Sequence, residues 1–236
     1  MPEGVVEHIA GAFPVDLAVL GREAVTSFAR AAVDATRELG ASDSDDVLDL
    51  VDLMLLLGSQ FHCDPLHPWA SEILADASIA PGGRARALWE RGMVALDAVN
   101  GPTGTHALRA ALRIRRLGFD AIAATPASDA DVIAMAEHLH PTRAAALRDA
   151  TAWPAVLSLA DERRAAAGLG HASARAPWTA LVLLSGSRFD ADPLHPWAAS
   201  ALRSTATGDA RARALFDARY AALDVALRCM PPQEAS

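Results

Sequence analysis

Apolar residues recur along this chain every three or four positions, which places them on one side of a helix. The stretch from Arg84 to Val99 shows this spacing clearly, because its larger apolar side chains would form a single stripe. The same pattern predicts three earlier helices, over residues 16–39, from about residue 42 to 58, and from about residue 68. The sequence therefore predicts an all-α fold.

The first two of these earlier helices carry signals at their ends. Gly40 follows the first one, where a glycine in the left-handed conformation commonly closes a helix. Ser42 or Ser44 can cap the second helix, whose early turns are acidic and suit the positive end of the helix dipole. That second helix runs into the apolar stretch Leu53 to Leu57, so we expect it to be the central and most buried helix.

The chain also repeats itself. Residues 58–70 return as residues 186–198 with ten of the thirteen positions identical, including the tract Asp-Pro-Leu-His-Pro-Trp in both copies. A second block, residues 84–90, returns as residues 211–217 with an offset one residue shorter. Weaker similarity extends upstream, where Phe13-Pro14 aligns with His140-Pro141. Self-similarity at a fixed offset indicates an internal repeat.

The repeat predicts how the chain is organised. We expect a tandem duplication of a unit of roughly 100 residues with four helices, one copy over residues 5–100 and the other over residues 131–229. Residues 101–130 would join the copies through an extra helix and a short linker. The two units would pack side by side or around a pseudo-twofold axis.

The repeated tracts, residues 64–69 and 192–197, are termed the first and second corner. In a structural interpretation, the aspartates accept backbone N–H bonds at a turn, the prolines fix the backbone, and the tryptophans pack the turn onto the bundle. Each histidine would then precede a proline at the first position of a helix. The candidate binding residues are the side chains that recur in both corners: Asp64, His67, Trp69, Asp192, His195 and Trp197.

A second interpretation gives the corners chemistry. An aspartate and a histidine three residues apart can act as general acid and base or as metal ligands, although two ligands are fewer than zinc usually takes. The first copy has a richer set of ligating side chains: His62, Cys63, Asp64 and His67. The second copy has Asp190 and Ala191 in place of the first two, so the set is either an acquired site or a pair of loop substitutions. The corners could also face each other and form one shared site.

Composition removes several function classes. The chain has 21 basic and 29 acidic residues, a net charge of −8, and every basic residue is arginine. Without lysine there is no P-loop lysine, Schiff base or Ser–Lys pair, and the negative charge disfavours nucleic acid and anionic lipid as partners. The single basic cluster is Arg109, Arg113, Arg115 and Arg116, which we interpret as a solvated face or as salt-bridge partners of the acidic units, with docking of an acidic partner as the alternative.

The same evidence bears on location. Only Cys63 and Cys229 are present, which does not suggest a disulfide framework. The acidic start lacks the features of a secretory signal, and the apolar runs are far shorter than a membrane span. We therefore expect a cytoplasmic location, and the arginine-rich, lysine-free composition suggests a bacterial source.

These observations lead to two alternative functions. The first is a non-enzymatic module that binds another protein, as an adaptor, scaffold or chaperone-like protein without a cofactor, because no catalytic motif is found and paired helical units create a groove. Such a module could also form homo-oligomers. The alternative is a metal-dependent enzyme or small-ligand-binding protein that uses the Asp/His corner of one or both repeats.

Overall fold

The computed structural model of the protein describes residues 1–204 and 207–229. They contain helices, turns and loops but no β-strand, so the predicted all-α class is confirmed. The α-helices are α1 (Pro2–Ala12), α2 (Pro14–Leu20), α3 (Arg22–Glu38), α4 (Ser44–Leu57), α5 (Pro68–Ala75), α6 (Arg84–Asn100), α7 (Thr105–Ala123), α8 (Asp129–Leu139), α9 (Pro141–Asp149), α10 (Trp153–Ala166), α11 (Arg175–Ser185), α12 (Pro196–Leu202) and α13 (Gly208–Cys229).

The helices enclose two hydrophobic cores. The first core lies among α1, α3, α4, α5 and α6, with Phe28 and Leu50 fully buried in it. The second core lies among the helices from α7 to α13. The extra helix α7 contributes Ile114, Phe119 and Ile122 to the second core, so this helix is an integral part of that core as well as the connection between the halves.

The two halves, α1 to α6 around the first core and α7 to α13 around the second, each insert a side chain into the core of the other. Leu66 of the first corner is buried in the second core, and Leu194 of the second corner is buried in the first. Helix α9 packs against α6, and α2 packs against α13. The Thr142 hydroxyl at the start of α9 donates a hydrogen bond to the Val99 carbonyl near the end of α6, over 2.7 Å. Each half therefore completes the packing of the other.

Each half has more helices than four. Six helices precede α7 and six follow it in the described ranges, so four per unit is an undercount. The helix expected over residues 16–39 is divided into α2 and α3 at Gly21, whose φ is +80°. Pro14 begins α2 because a proline cannot continue α1, whereas it fits the first position of a new helix.

The end of α3 and the helix α4 show which local signals were informative. Gly40 has a φ of +96°, as its position after a helix predicted, and a Cβ there would overlap the Pro81 carbonyl oxygen. The cap of α4 is Asp43, whose carboxylate accepts the backbone N–H groups of Asp45 and Asp46, so neither predicted serine is the cap. Leu56 is 44% exposed, so α4 is not buried on every side as its composition suggested.

A helix that spans a membrane needs about 20 consecutive, mostly apolar residues. None of the helices in the described ranges combines sufficient length with sufficient apolar character to cross a bilayer.

Candidate functional site

The two corners bind each other's halves through their aspartates. In the first corner, Oδ1 of Asp64 accepts the Leu66 N–H at 2.9 Å and Oδ2 accepts the Ser187 N–H at 2.7 Å. In the second corner, Asp192 accepts the Leu194 N–H at 2.9 Å and the Ser59 N–H at 2.8 Å. Each carboxylate thus holds its own turn with one oxygen and the opposite half with the other.

A glycine with a positive φ lies beside each carboxylate. Gly58 ends α4 with a φ of +105°, and Gly186 ends α11 with a φ of +90°. A Cβ on either glycine would lie 3.4 Å from Oδ2 of the opposite aspartate, Asp192 or Asp64. That distance is ordinary contact, so the positive φ, rather than lack of space, explains why both copies have glycine here.

The corner histidines stand where the sequence predicted. His67 and His195 each precede the proline that begins the next helix, and the His195 Nε2 lies 2.9 Å from the Ser185 carbonyl oxygen. The His67 ring bonds the backbone of Leu57, the aligned position. Burial, assisted by the charge of Arg143, lowers the pKa of His67 to about 4, so this ring is neutral near pH 7.

The corner tryptophans pack on a neighbouring phenylalanine. Trp69 lies 6.2 Å from Phe61 between ring centroids, and Trp197 stacks on Phe189 at 5.7 Å. Both tryptophans therefore fix the turn to its helix bundle, as the structural interpretation expects.

Each corner also borders a pocket. The first pocket, of about 220 Å³, lies between the first corner, α6 and α9, and it includes His67 and Trp69. The second pocket, of about 400 Å³, lies between the second corner, α13 and α2, and it includes His195 and Trp197. The pockets have matching walls, because the repeat offset carries several residues of one pocket onto residues of the other.

The charged groups of the pockets differ. The first pocket contains Arg143 of α9, and the aligned residue of the second pocket is Asp16 of α2. The Nε of Arg143 is closed to solvent and has no hydrogen-bond partner, and neither has Oδ1 of Asn100 in the same pocket. Burial lowers the pKa of Arg143 to about 10, which leaves the group charged near pH 7.

The second pocket keeps its polar groups occupied. The Arg219 Nε donates to the Ser185 hydroxyl over 3.1 Å, and the guanidinium lies 6.0 Å from the centre of the Trp197 ring. Burial raises the pKa of Asp16, which makes its charged form less favourable than in water. The second pocket thus contains an acid, Asp16, and an arginine, Arg219, that already donates a hydrogen bond to Ser185.

The four candidate metal ligands of the first copy, His62, Cys63, Asp64 and His67, do not form a metal site in the described ranges. Both Asp64 oxygens accept backbone N–H groups, and the Cys63 thiol lies 3.4 Å from the Gln60 carbonyl oxygen. No group of three or more histidine, cysteine, aspartate or glutamate side chains in the described ranges could hold a metal ion. His62 and His67 therefore have no third ligand beside them in this part of the chain.

The arrangement favours binding over proton transfer. Of the Asp64 and His67 pair, only the histidine lines the first pocket, and the aspartate is committed to the turn. Sequence analysis missed Arg143 and Asn100, because neither lies in a motif and the alignment replaces Arg143 by an acid in the other copy. Only the weak Phe13-Pro14 match hinted that α2 and α9 occupy corresponding places.

Comparison of the chain with known proteins identifies no family for it. No protein-family model matches it, and no significant match is found among curated proteins or solved structures.

Proposed function

We propose that this protein is a non-enzymatic binding protein whose ligand site is the first pocket, between α5, α6 and α9. The observation that carries the proposal is an open, mostly apolar pocket whose lining includes Arg143 and Asn100, each of which has a buried polar atom without a partner, Nε and Oδ1. Buried polar atoms in proteins are nearly always hydrogen-bonded, and a bound ligand is one way to satisfy such atoms.

The size of the pocket suggests the size of the ligand. A volume of about 220 Å³ equals the liquid volume of roughly seven water molecules, which suits a small organic molecule. Leu66, Trp69 and Leu147 contribute apolar surface to the wall. An apolar ligand would displace water from that surface and gain about 25 cal/mol per Å² buried.

Octan-1-ol is a suitable neutral probe for this proposal. We expect calorimetric titration to show saturable binding, and Ala98→Phe on α6 to weaken it about tenfold or more by covering the first pocket. Ala98 is exposed, so the larger side chain should not disturb a core.

The repeat supplies a matched control for that variant. Val225 is the residue aligned with Ala98, is exposed, and lines the second pocket. Val225→Phe should leave octan-1-ol binding within about twofold of the unmodified protein. Absence of saturable binding, or equal loss in the two variants, would refute the first pocket as the site.

We also infer that the scaffold arose by tandem duplication, with α1 to α6 and α8 to α13 as the two copies. The inference is supported by the sequence repeat, by the reciprocal bonds of Asp64 and Asp192, and by the aligned walls of the two pockets.

Cys63 and Cys229 are both free and exposed, which agrees with the reducing bacterial cytoplasm proposed from composition.

A second candidate function is the protein binding expected from the sequence, as an adaptor, scaffold or chaperone-like module. Helix α7 favours it, because Leu108, Leu112 and Leu117 are between 40% and 46% exposed and Arg109 and Arg116 are exposed on the same helix. This surface combines apolar and basic groups, and a second copy of this acidic chain offers complementary charge.

Self-association tests that candidate directly. We expect sedimentation to show a dimer at high micromolar concentration that Leu112→Glu converts to monomer, because the carboxylate would be desolvated in the interface. Val94→Glu, at a 58% exposed residue of α6, is the control for adding one acid to the surface. A monomer at all concentrations would exclude a second copy as the partner of α7.

A further inference from the structure

We propose that the first pocket selects an aliphatic carboxylate, with the anion beside the Arg143 guanidinium and the hydrocarbon chain along the apolar wall. This inference rests on the proposed function and names the ligand class for the same site. An arginine presents a planar set of N–H donors that matches the two oxygens of a carboxylate.

The charges around the pocket favour an anion. Arg143 and Arg91 line it against the single acid Glu72, which leaves one net positive charge on the lining, and His67 is neutral near pH 7. The carboxylate of Asp64 acts on Arg143 through space, but the two groups form no ion pair. Both oxygens of that carboxylate already accept backbone N–H groups, so Arg143 remains available to a ligand.

Other groups around Arg143 define the rest of the ligand. Leu66, Val99 and Leu147 line the pocket and would surround a hydrocarbon chain. Oδ1 of Asn100 is the second atom without a partner there, and it can accept a hydrogen bond from a ligand hydroxyl, whereas the N–H groups of the same amide can donate to a carboxylate. An apolar chain with one anionic end therefore matches the apolar wall and the Arg143 guanidinium.

The second pocket provides an internal contrast. Asp16 stands where the first pocket has Arg143, and Arg219 already donates to Ser185. A carboxylate entering there would meet a like charge. The preference for an anion should therefore belong to the first pocket alone.

Two sources could supply such a ligand, a free carboxylic acid or the C-terminal residue of a protein. The structure favours the free acid, because the uncharged polar side chains of the lining are few, Asn100, Trp69 and the neutral His67, and they cannot satisfy several peptide groups at once. Octanoate and the peptide acetyl-Gly-Gly-Leu with a free carboxylate are the probes that separate these sources.

The experiment compares probes with and without charge by calorimetric titration at pH 7.5. We expect octanoate to bind the unmodified protein about tenfold or more tightly than octan-1-ol, and Arg143→Gln to remove that preference. Arg143→Lys should retain part of it. Arg91→Gln, which removes the arginine of α6 from the same lining, should change the preference by less than about threefold.

Each outcome separates this inference from the proposed function. Equal affinities for octanoate and octan-1-ol, or a preference that survives in Arg143→Gln, would overturn the carboxylate assignment while leaving an apolar site in place. If Ala98→Phe binds octanoate and octan-1-ol as tightly as the unmodified protein does, the first pocket is not the binding site. Binding of the peptide more tightly than octanoate would overturn the assignment to a free acid. Thermal unfolding of each variant verifies that it is folded.

Discussion

Replacing Asp64 by alanine is expected to lower the free energy of unfolding by about 4 kcal/mol, because two backbone N–H groups lose a charged acceptor inside the protein. Those groups belong to Leu66 in the same turn and to Ser187 in the other half. Asp64 is only 6% exposed, so water cannot readily take the place of its carboxylate. Urea denaturation followed by circular dichroism measures the change.

The chain offers both a duplicate and a control for this experiment. Asp192→Ala should cause a loss of similar size, because Asp192 makes the same two kinds of bond in the second corner. Asp76 also accepts a backbone N–H two residues ahead, that of Ser78, but it is exposed. Asp76→Ala should therefore have far less effect. A small loss in all three variants would show that the corners do not hold the halves together.

Lowering the pH from 7 toward 4 is expected to cost several kcal/mol of stability, because two buried histidines are held neutral in the folded protein. Burial is the largest cause for both, and the nearby Arg143 charge adds to it, so the pKa is about 4 for His67 and about 3 for His140. Unfolded histidine titrates near 6.5. The unfolded chain thus binds protons first as the pH falls.

The sign of this effect defines the pH window. Above about pH 6.5 both rings are neutral in either state, and their contribution to stability is fully present. It declines as the pH falls from about 6.5 toward the folded values of about 4 and about 3. The raised pKa of Asp16 acts in the opposite direction below neutral pH, because the folded state takes up that proton more readily.

Urea denaturation at several pH values between 7.5 and 4.5 measures the dependence. His67→Gln should flatten the curve by up to about 1.4 kcal/mol per pH unit, the contribution of one proton. His138→Gln, at an exposed histidine one turn before the start of α9, should leave the slope unchanged. A parallel pH dependence in all three proteins would contradict the neutral, buried state of His67.

The geometry of the corners could be predicted from sequence because it is local. Three features follow from residues within one short tract. Asp64 accepts an N–H two residues ahead, His67 precedes the proline that begins α5, and Trp69 packs on Phe61. Turn and cap preferences act over a few residues, so the printed sequence contains the necessary information. The same holds for Gly40 at the end of a helix.

The pockets could not be predicted because they depend on which half each helix joins. The spacing of apolar residues along the sequence does not show that α9 packs against α6 of the other half. Without knowledge of the contact between α9 and α6, Arg143 is one of many arginines in the sequence, and nothing marks it as a pocket residue. The helix count failed for two reasons: α1 was not predicted, and the division at Gly21 falls inside a stretch of otherwise helix-favouring residues.

The most direct test of binding in the first pocket is a nuclear magnetic resonance titration of ¹⁵N-labelled protein with octanoate. We expect the Arg143 Nε–H signal and the Asn100 side-chain amide signals to shift together and to saturate at one dissociation constant. The Trp197 indole signal of the second pocket should remain in place. Unchanged Arg143 and Asn100 signals, with shifts confined to the Trp197 side, would contradict the account.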